Sequence, residues 1–165
     1  MNKQPDNLTM EKEEFMREAI RLSIENVESG NGGPFGAVIV KDGKIIATGV
    51  NNVTASNDPT AHAEMVAIRN ACHELASFQL DGCEIYTSCE PCPMCLAAIY
   101  WARPDKVYFA NTKVDAAAIH FDDQFIYEEF ALPSTARKLV SEQLLREEAL
   151  VGFQKWSEST KKIAY

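Results

Sequence analysis

The sequence has no apolar run that approaches the roughly 20 residues needed to span a bilayer. Residues 1–10 are polar and contain no apolar segment typical of a signal peptide, so we expect them to form a flexible leader. There is no internal repeat and no low-complexity linker. We therefore expect no membrane partner and predict a single cytoplasmic domain over residues 11–165.

Basic residues are also scarce. The 16 Lys and Arg residues are outnumbered by 24 Asp and Glu residues, which gives a formal net charge of -8. Proteins that grip nucleic acid phosphates usually present a basic surface, so this charge favours a small ligand and no nucleic acid partner. The cysteines number five, which is odd, and without an export signal we expect reduced thiols rather than disulfides.

The spacing of apolar residues predicts alternating strands and helices. We predict strands over residues 35–40, 44–50, 83–88 and 105–110. The predicted helices cover residues 11–28, about 60–75, 91–102, 115–120 and 147–163. Residues 137–145 fit a strand or a helix equally well. The middle of the chain thus follows the βαβ pattern, with helices on the faces of a sheet.

Three local signals accompany these elements. Asp42-Gly43 between two apolar runs predicts a tight hairpin. Asp58 or Thr60 could cap the helix that follows, with Pro59 in its first turn. The first helix has apolar residues at helical spacing, which predicts its buried stripe: Met16, Ala19, Ile20, Ile24 and Val27.

Two short stretches could together form a zinc site. Cys92 and Cys95 are three residues apart, so their thiols share one face of the predicted helix. Cys92 lies at the start of that helix, where the helix dipole favours a thiolate. His62 would add a neutral imidazole, and two thiolates balance the charge of Zn²⁺. A set of three protein ligands leaves the fourth position for water, which is typical of catalytic zinc.

Glu64 is better suited to be an acid/base residue than a ligand. Side chains two positions apart point to nearly opposite sides of a helix, so His62 and Glu64 converge only if the helix N-terminus faces the metal. A carboxylate within reach of the metal's water could take its proton and return it to a substrate. The alternatives are a Cys-x-x-Cys redox pair, a purely structural zinc, and a histidine that is simply a polar residue at a helix start.

The order of these motifs resembles the cytidine-deaminase superfamily, whose zinc enzymes carry His-x-Glu followed by Pro-Cys-x-x-Cys. Within it, the chain is similar to the bacterial guanine deaminases. The resemblance covers nearly the whole chain, is weakest over residues 132–148, and rests on these stretches: Gly32–Val40, Asn57–Glu64, Tyr86–Cys95, Ile99–Pro104 and Phe121–Asp123. The zinc motif marks only the superfamily, whereas Phe121–Asp123 and Tyr165 narrow the resemblance to guanine or guanosine deaminases.

This resemblance implies an α/β fold: a three-layer α/β/α sandwich around a five-stranded mixed sheet. It implies one Zn²⁺ per subunit, held by His62, Cys92 and Cys95. It also implies a homodimer, in which the C-terminal helical segment 147–165 could be exchanged so that Tyr165 closes the neighbouring subunit's pocket.

The resemblance further implies a role for each of several side chains. Asn51 would read the purine edge, Phe35 and Trp101 would flank the ring, and Asp123 would hold the exocyclic amine beside Glu64. Backbone N–H groups near Ala63 and Cys92 could stabilise the developing oxyanion. From the residues alone, Asn51 could equally be a turn residue, Asp123 a solvated loop acid or helix cap, Trp101 a core residue and Tyr165 an unanchored terminus.

The implied activity is hydrolytic deamination of guanine to xanthine and ammonia, in purine catabolism or salvage. Guanosine deamination is the nearest alternative, and room for ribose at the pocket mouth would separate the two. Deamination of tRNA adenosine requires a basic surface, against which the charge of -8 weighs. A zinc-binding interaction protein without catalysis is the alternative from a different class.

Overall fold

The structure, a computed structural model, describes residues 11–165; the predicted leader at residues 1–10 lies outside the described residues. Its strands are β1 (Gly36–Lys41), β2 (Lys44–Val50), β3 (Cys83–Cys89) and β4 (Lys106–Asn111). Its helices are α1 (Lys12–Glu28), α2 (Val53–Ser56), α3 (Ala63–Leu75), α4 (Pro93–Ala102), α5 (Lys113–Ala118), α6 (Gln124–Ala131) and α7 (Arg146–Glu158), with a 3-10 helix at Ser134–Ala136. The chain divides into two compact units, one ending at Asp123 and the other comprising Gln124–Tyr165.

The sheet is mixed and has the strand order β2-β1-β3-β4. Strand β1 runs antiparallel to both β2 and β3, and β3 runs parallel to β4. Asp42 and Gly43 have φ of 50° and 70°. Positive φ at both central residues is the geometry of a type I′ turn, so the predicted hairpin is confirmed.

The expected fifth strand is absent from the sheet within residues 11–165. Residues 137–145, which fitted a strand or a helix, form neither. They belong to the C-terminal unit, whose regular elements between 124 and 165 are all helical. A strand needs a partner for its backbone N–H and C=O groups, and this unit offers none. The prediction of five strands was therefore wrong for this chain.

Helices cover both faces of the sheet, as the α/β/α prediction requires. Alternate residues of a strand point to opposite faces, and the two core clusters follow that alternation. One cluster joins α1 to one face: Phe15, Ala19, Val38, Val40 and Tyr86. The other joins α3 and α4 to the opposite face through residues that include Ala37, Ile39, Ile85, Ala67, Ala71 and Ile99. The three layers are confirmed within the unit that ends at Asp123.

The buried stripe of α1 differs from the prediction. Its buried residues are Phe15, Ala19, Ser23 and Asn26, whereas Ile24 and Val27 are 53% and 51% exposed. The reason is close packing: a Cβ on Gly36 would lie 2.4 Å from the backbone oxygen of Ala19. Ala19 and Ser23 provide the small residues at this close approach, whereas Ile24 and Val27 lie on the exposed side of α1.

The start of α3 is the second correction. The helix begins at Ala63 with His62 as its N-cap, so neither Asp58 nor Thr60 caps it. Asp58 instead accepts hydrogen bonds from the backbone N–H of Thr60 at 2.8 Å and from its hydroxyl at 2.7 Å. These bonds satisfy the Asp58 carboxylate within the preceding turn, as Asx turns do. The helix start moves to His62.

The C-terminal unit contains α6, the 3-10 helix and α7. Helix α7 ends at Glu158, five residues before the predicted end at Ile163. No residue between 124 and 165 is buried in the isolated chain. No helix within residues 11–165 combines the length and apolar character that crossing a membrane would require.

Candidate metal centre

Two helix N-termini bring the predicted metal ligands together. His62 is the N-cap of α3, and Cys92 is the N-cap of α4. Cys95 lies in the first turn of α4, which begins with Pro93. The first turns of both helices have N–H groups that the helices themselves do not use. The positive ends of both helix dipoles favour thiolates and other negative charge at this point.

The three ligand atoms have the spacing of a zinc site. They all lie within 4.8 Å of one another. The His62 ring nitrogen Nδ1 lies 3.5 Å from Cys92 Sγ and 3.6 Å from Cys95 Sγ. Tetrahedral zinc with Zn–S of about 2.3 Å and Zn–N of about 2.0 Å separates sulfur from nitrogen by about 3.5 Å. The donor set and its spacing therefore fit Zn²⁺.

The three side chains of this cluster also shift one another's pKa values. Contacts with the Cys95 side chain, and then with His62, lower the pKa of the Cys92 thiol to about 4. The contact with Cys92, together with burial, raises the pKa of Cys95. Hydrogen bonding to Cys92 also raises the pKa of His62. Zinc binding releases protons from these groups, because its ligands must be thiolates and neutral imidazole.

Glu64 lies next to this cluster in the first turn of α3. Its side chain is only 6% exposed, and burial raises its pKa. The Cys95 thiol donates to Glu64 Oε2 at 3.5 Å, and the hydroxyl of Thr87 donates to Oε1 at 3.3 Å. A buried carboxylate of raised pKa beside a metal site is what a general base working near neutral pH requires.

Asn51 is fixed at the end of β2. Its Oδ1 accepts from the backbone N–H groups of Gly33 and Val53, both at 3.4 Å. Its backbone oxygen accepts from Asn26 Nδ2 at 2.8 Å, and the same nitrogen donates to the oxygen of Gly33 at 2.9 Å. Because backbone donors face Oδ1, the Asn51 amide is oriented with Nδ2 as its remaining donor group. Sequence reasoning missed Asn26, because it lies outside the apolar stripe that was predicted for α1.

Phe35 contacts Phe121 edge to face, with ring centroids 4.9 Å apart. Phe121 follows a Schellman turn at the end of α5: its N–H donates to Ala116, and that of His120 donates to Ala117. Asp123 comes two residues later and is partly buried. Burial raises the pKa of Asp123, and the charge of Cys92 raises it further, so its carboxyl lies within electrostatic range of the metal ligands. Phe121 was part of the sequence motif, but no role had been predicted for it.

The other predicted site residues differ in their placement. Ala63 is fully buried as the first residue of α3, so its N–H is one of those that the helix does not use. Trp101 is 63% exposed near the end of α4, and Tyr165 is 68% exposed in the C-terminal unit. An α-helix rises about 13 Å from Cys92 to Trp101. The four metal-centre residues are thus brought together, and Trp101 lies near the opposite end of α4 from Cys92.

The sequence profile of the cytidine and deoxycytidylate deaminase zinc-binding region matches residues 9–111. The guanine deaminase of Bacillus subtilis (strain 168) is 56% identical over 156 residues, which are 94% of this chain and 100% of that protein. A crystal structure of guanine deaminase from Bacillus subtilis superposes with a TM-score of 0.92 over 94% of this chain and 99% of that chain, also at 56% identity. A tRNA-specific adenosine deaminase of Aquifex aeolicus is 46% identical over 61% of this chain and 66% of that protein.

Proposed function

The chain belongs to the cytidine and deoxycytidylate deaminase zinc-binding family, and from this premise we propose that it is a zinc-dependent guanine deaminase. The reaction is guanine plus water to xanthine plus ammonia. The relative with this activity matches along its whole length, and the tRNA-specific relative matches only in part. The observation that carries the proposal is the buried Glu64 carboxylate, which lies 3.5 Å from the thiol of a metal-ligating cysteine.

His62, Cys92 and Cys95 would hold the zinc, which when bound supplies Lewis acidity and lowers the pKa of a water at its open position. Glu64 Oε2 is on the side of these ligands and would accept the proton that the attacking water loses. The water oxygen forms a bond to the guanine carbon that carries the 2-amino group. Glu64 then delivers the proton to the adjacent ring nitrogen, so the charge on the carboxylate is restored.

Breaking the carbon–nitrogen bond requires a second proton transfer, in which the new hydroxyl on the attacked carbon loses its proton and the departing amine gains one. Asp123 would hold that amine and share the transfer with Glu64. The support is that burial raises the pKa of Asp123 from its usual value, which favours a part for its carboxyl in proton transfer. Ammonia leaves, and the carbonyl of xanthine remains.

Three further residues would orient the purine. Asn51 presents Nδ2, a donor suited to an acceptor on the purine edge. Phe35, braced by Phe121, would pack against the ring. The N–H of Ala63 would stabilise negative charge that develops on the attacked carbon's oxygen. Each of these roles is carried over from the resemblance and can be tested by replacing the residue.

The same proposal includes a homodimer with exchanged C-terminal segments. Many large apolar side chains of the C-terminal unit are exposed in the isolated chain, among them Leu139 at 82%, Val140 at 78%, Leu144 at 78% and Phe153 at 77%. Surfaces of this kind mark interfaces. The exposure of Tyr165 supports the idea that it closes the pocket of the partner copy, whereas Trp101 would flank the ring as the resemblance implies.

An ammonia-release assay on zinc-loaded protein tests the activity, with guanine, guanosine, cytosine, adenine and aminotriazines as substrates. We expect guanine to be turned over fastest, whereas faster release from guanosine or adenine would refute the assignment. Glu64→Gln is the matched control: it should retain zinc and lose about 100-fold or more in kcat, since general bases contribute this much. Wild-type turnover by a zinc-loaded Glu64→Gln variant would contradict its role as base.

Mixing two inactive variants tests the exchange. One variant carries Glu64→Gln, and the other lacks Tyr165. If Tyr165 closes the partner's pocket, each mixed dimer holds one site with both an intact Glu64 and an intact Tyr165, and refolding the mixture restores activity. If Tyr165 serves its own chain, the mixture stays inactive.

A further inference from the structure

The carboxylate of Glu64 is held from two sides. Its Oε2 faces the thiol of Cys95 at 3.5 Å, and its Oε1 accepts from the hydroxyl of Thr87 at 3.3 Å. Both partners in the second contact are buried, with Thr87 1% exposed and Glu64 6% exposed. Cys95 is one of the proposed metal ligands, so Oε2 is the carboxylate oxygen that faces the metal site. Oε1 faces Thr87 on the other side.

Strand β3 places this hydroxyl with little freedom. Thr87 pairs with Ala37 of β1 and with Phe109 of β4, so its backbone is anchored on both sides. Ile85, two residues earlier, lies in the core cluster of α3, and the alternation of strand side chains directs Thr87 to the same face. A β-branched side chain in a strand has few χ1 options. The hydroxyl is therefore a rigid support for a carboxylate on the neighbouring helix.

We propose that Thr87 is a positioning residue for catalysis. Its hydroxyl fixes Oε1 of Glu64, so that Oε2 alone takes the proton from water and returns it to the ring nitrogen of the substrate. In this proposal Thr87 acts through Glu64, to which its hydroxyl donates. The inference depends on the proposed deaminase function for its kinetic test, but not for its structural test.

Two substitutions separate the hydroxyl from the shape of the side chain. Thr87→Val keeps the branched shape and removes the hydroxyl, whereas Thr87→Ser keeps the hydroxyl and removes the methyl group. Losing a side chain that supports a catalytic group typically costs 10- to 100-fold in activity. We expect kcat of Thr87→Val to fall by about 10- to 100-fold with KM and zinc content unchanged, and Thr87→Ser to recover most of kcat.

Tyr86→Phe is the matched control on the same strand. Its hydroxyl donates to Glu84 at 2.7 Å, and its ring lies in the core cluster of α1 on the opposite face. Removing this hydroxyl should leave kcat near the wild-type value. Rates are compared as ratios to wild type on whichever heterocycle the wild-type enzyme deaminates fastest, so a failure of the guanine assignment does not affect the comparison.

Crystal structures of the zinc-loaded Thr87→Val and Thr87→Ser variants supply a readout independent of turnover. We expect the Glu64 carboxylate to be rotated or spread over several rotamers in the Val variant and to keep its place in the Ser variant. Three results would overturn the proposal: an unmoved carboxylate with normal kcat in Thr87→Val, equal losses in both variants, or loss of zinc from Thr87→Val. The last two would mean that residue 87 serves packing alone.

Discussion

Gly49→Ala should disable the metal centre without touching any of its ligands. Gly49 lies in β2 directly beneath the first turn of α3. A Cβ at this position would lie 2.2 Å from the backbone oxygen of Ala63 and 2.4 Å from the backbone nitrogen of Ala67. Both are main-chain atoms, so no side chain can rotate away and the helix itself must move.

The size of that movement decides the outcome. An ordinary contact between carbon and a carbonyl oxygen is about 3.3–3.6 Å, so α3 must retreat by at least about 1 Å. Metal–ligand distances tolerate only about 0.2 Å. His62 and Glu64 flank Ala63 and would move with it. A displacement of this size in a catalytic group can cost about 100-fold in rate, and overpacking typically costs about 1–3 kcal/mol in the free energy of unfolding.

We expect folded Gly49→Ala protein to hold well below one zinc per chain and to release ammonia about 100-fold more slowly. Metal analysis, urea denaturation and the ammonia assay measure the three effects. Gly36→Ala is the control, since its Cβ would lie 2.4 Å from the oxygen of Ala19 on the opposite face of the sheet. It should lose comparable stability and keep its zinc, because α1 holds none of the ligands. Full zinc content and wild-type turnover in Gly49→Ala would refute the reasoning.

Three other perturbations have distinct expected results. Asn26→Leu removes the side-chain donor to the backbone oxygens of Gly33 and Asn51. It should lower the free energy of unfolding by about 2 kcal/mol or more, and an unchanged midpoint of urea denaturation would contradict this. Chelation of zinc should abolish ammonia release and lower Tm, because a ligand bound only to the folded state stabilises it; a Tm indifferent to zinc would argue against the site. Phe121→Leu should raise KM for guanine with Tm nearly unchanged, since the ring is 46% exposed yet braces Phe35; an unchanged KM would separate Phe121 from substrate binding.

The metal centre was predictable from the sequence because its chemistry restricts residue type and spacing at once. Cys92 and Cys95 had to share a helix face, and His62 had to stand at a helix end for Glu64 to converge with it. The structure places His62 and Cys92 at the N-caps of α3 and α4, with Cys95 in the first turn of α4. The cap of α3 thus moves from Asp58 or Thr60 to His62, and α4 begins at Pro93 rather than at residue 91. The cap was missed because Asp58 is satisfied by Thr60 within its own turn.

The supporting contacts were not predictable, because they depend on how closely two elements approach. Helix α1 has apolar residues on more than one side, and periodicity alone favoured the side with Ile24 and Val27. The sheet selects the other side, since the lack of a side chain at Gly36 lets the backbone of α1 at Ala19 and Ser23 approach closely. The bonds from Asn26 to Asn51 and from Thr87 to Glu64 join residues 25 and 23 positions apart, and each needs the register of the assembled sheet.

The C-terminal unit is the part whose sequence pattern is least informative when one copy is considered alone. Its apolar residues predicted a helix, and α7 confirms one over Arg146–Glu158, but no residue between 124 and 165 is buried in the isolated chain. Leu139 is 82% exposed and Phe153 is 77% exposed, although residues of these types are usually buried in a protein core. The spacing of apolar residues indicates which side chains are to be buried. It does not indicate whether the same chain or a second copy supplies the residues that cover them. If a second copy supplies them, as we propose, closure of the pocket by Tyr165 depends on assembly, and a monomeric form of this enzyme would retain the metal centre yet lose its activity on guanine.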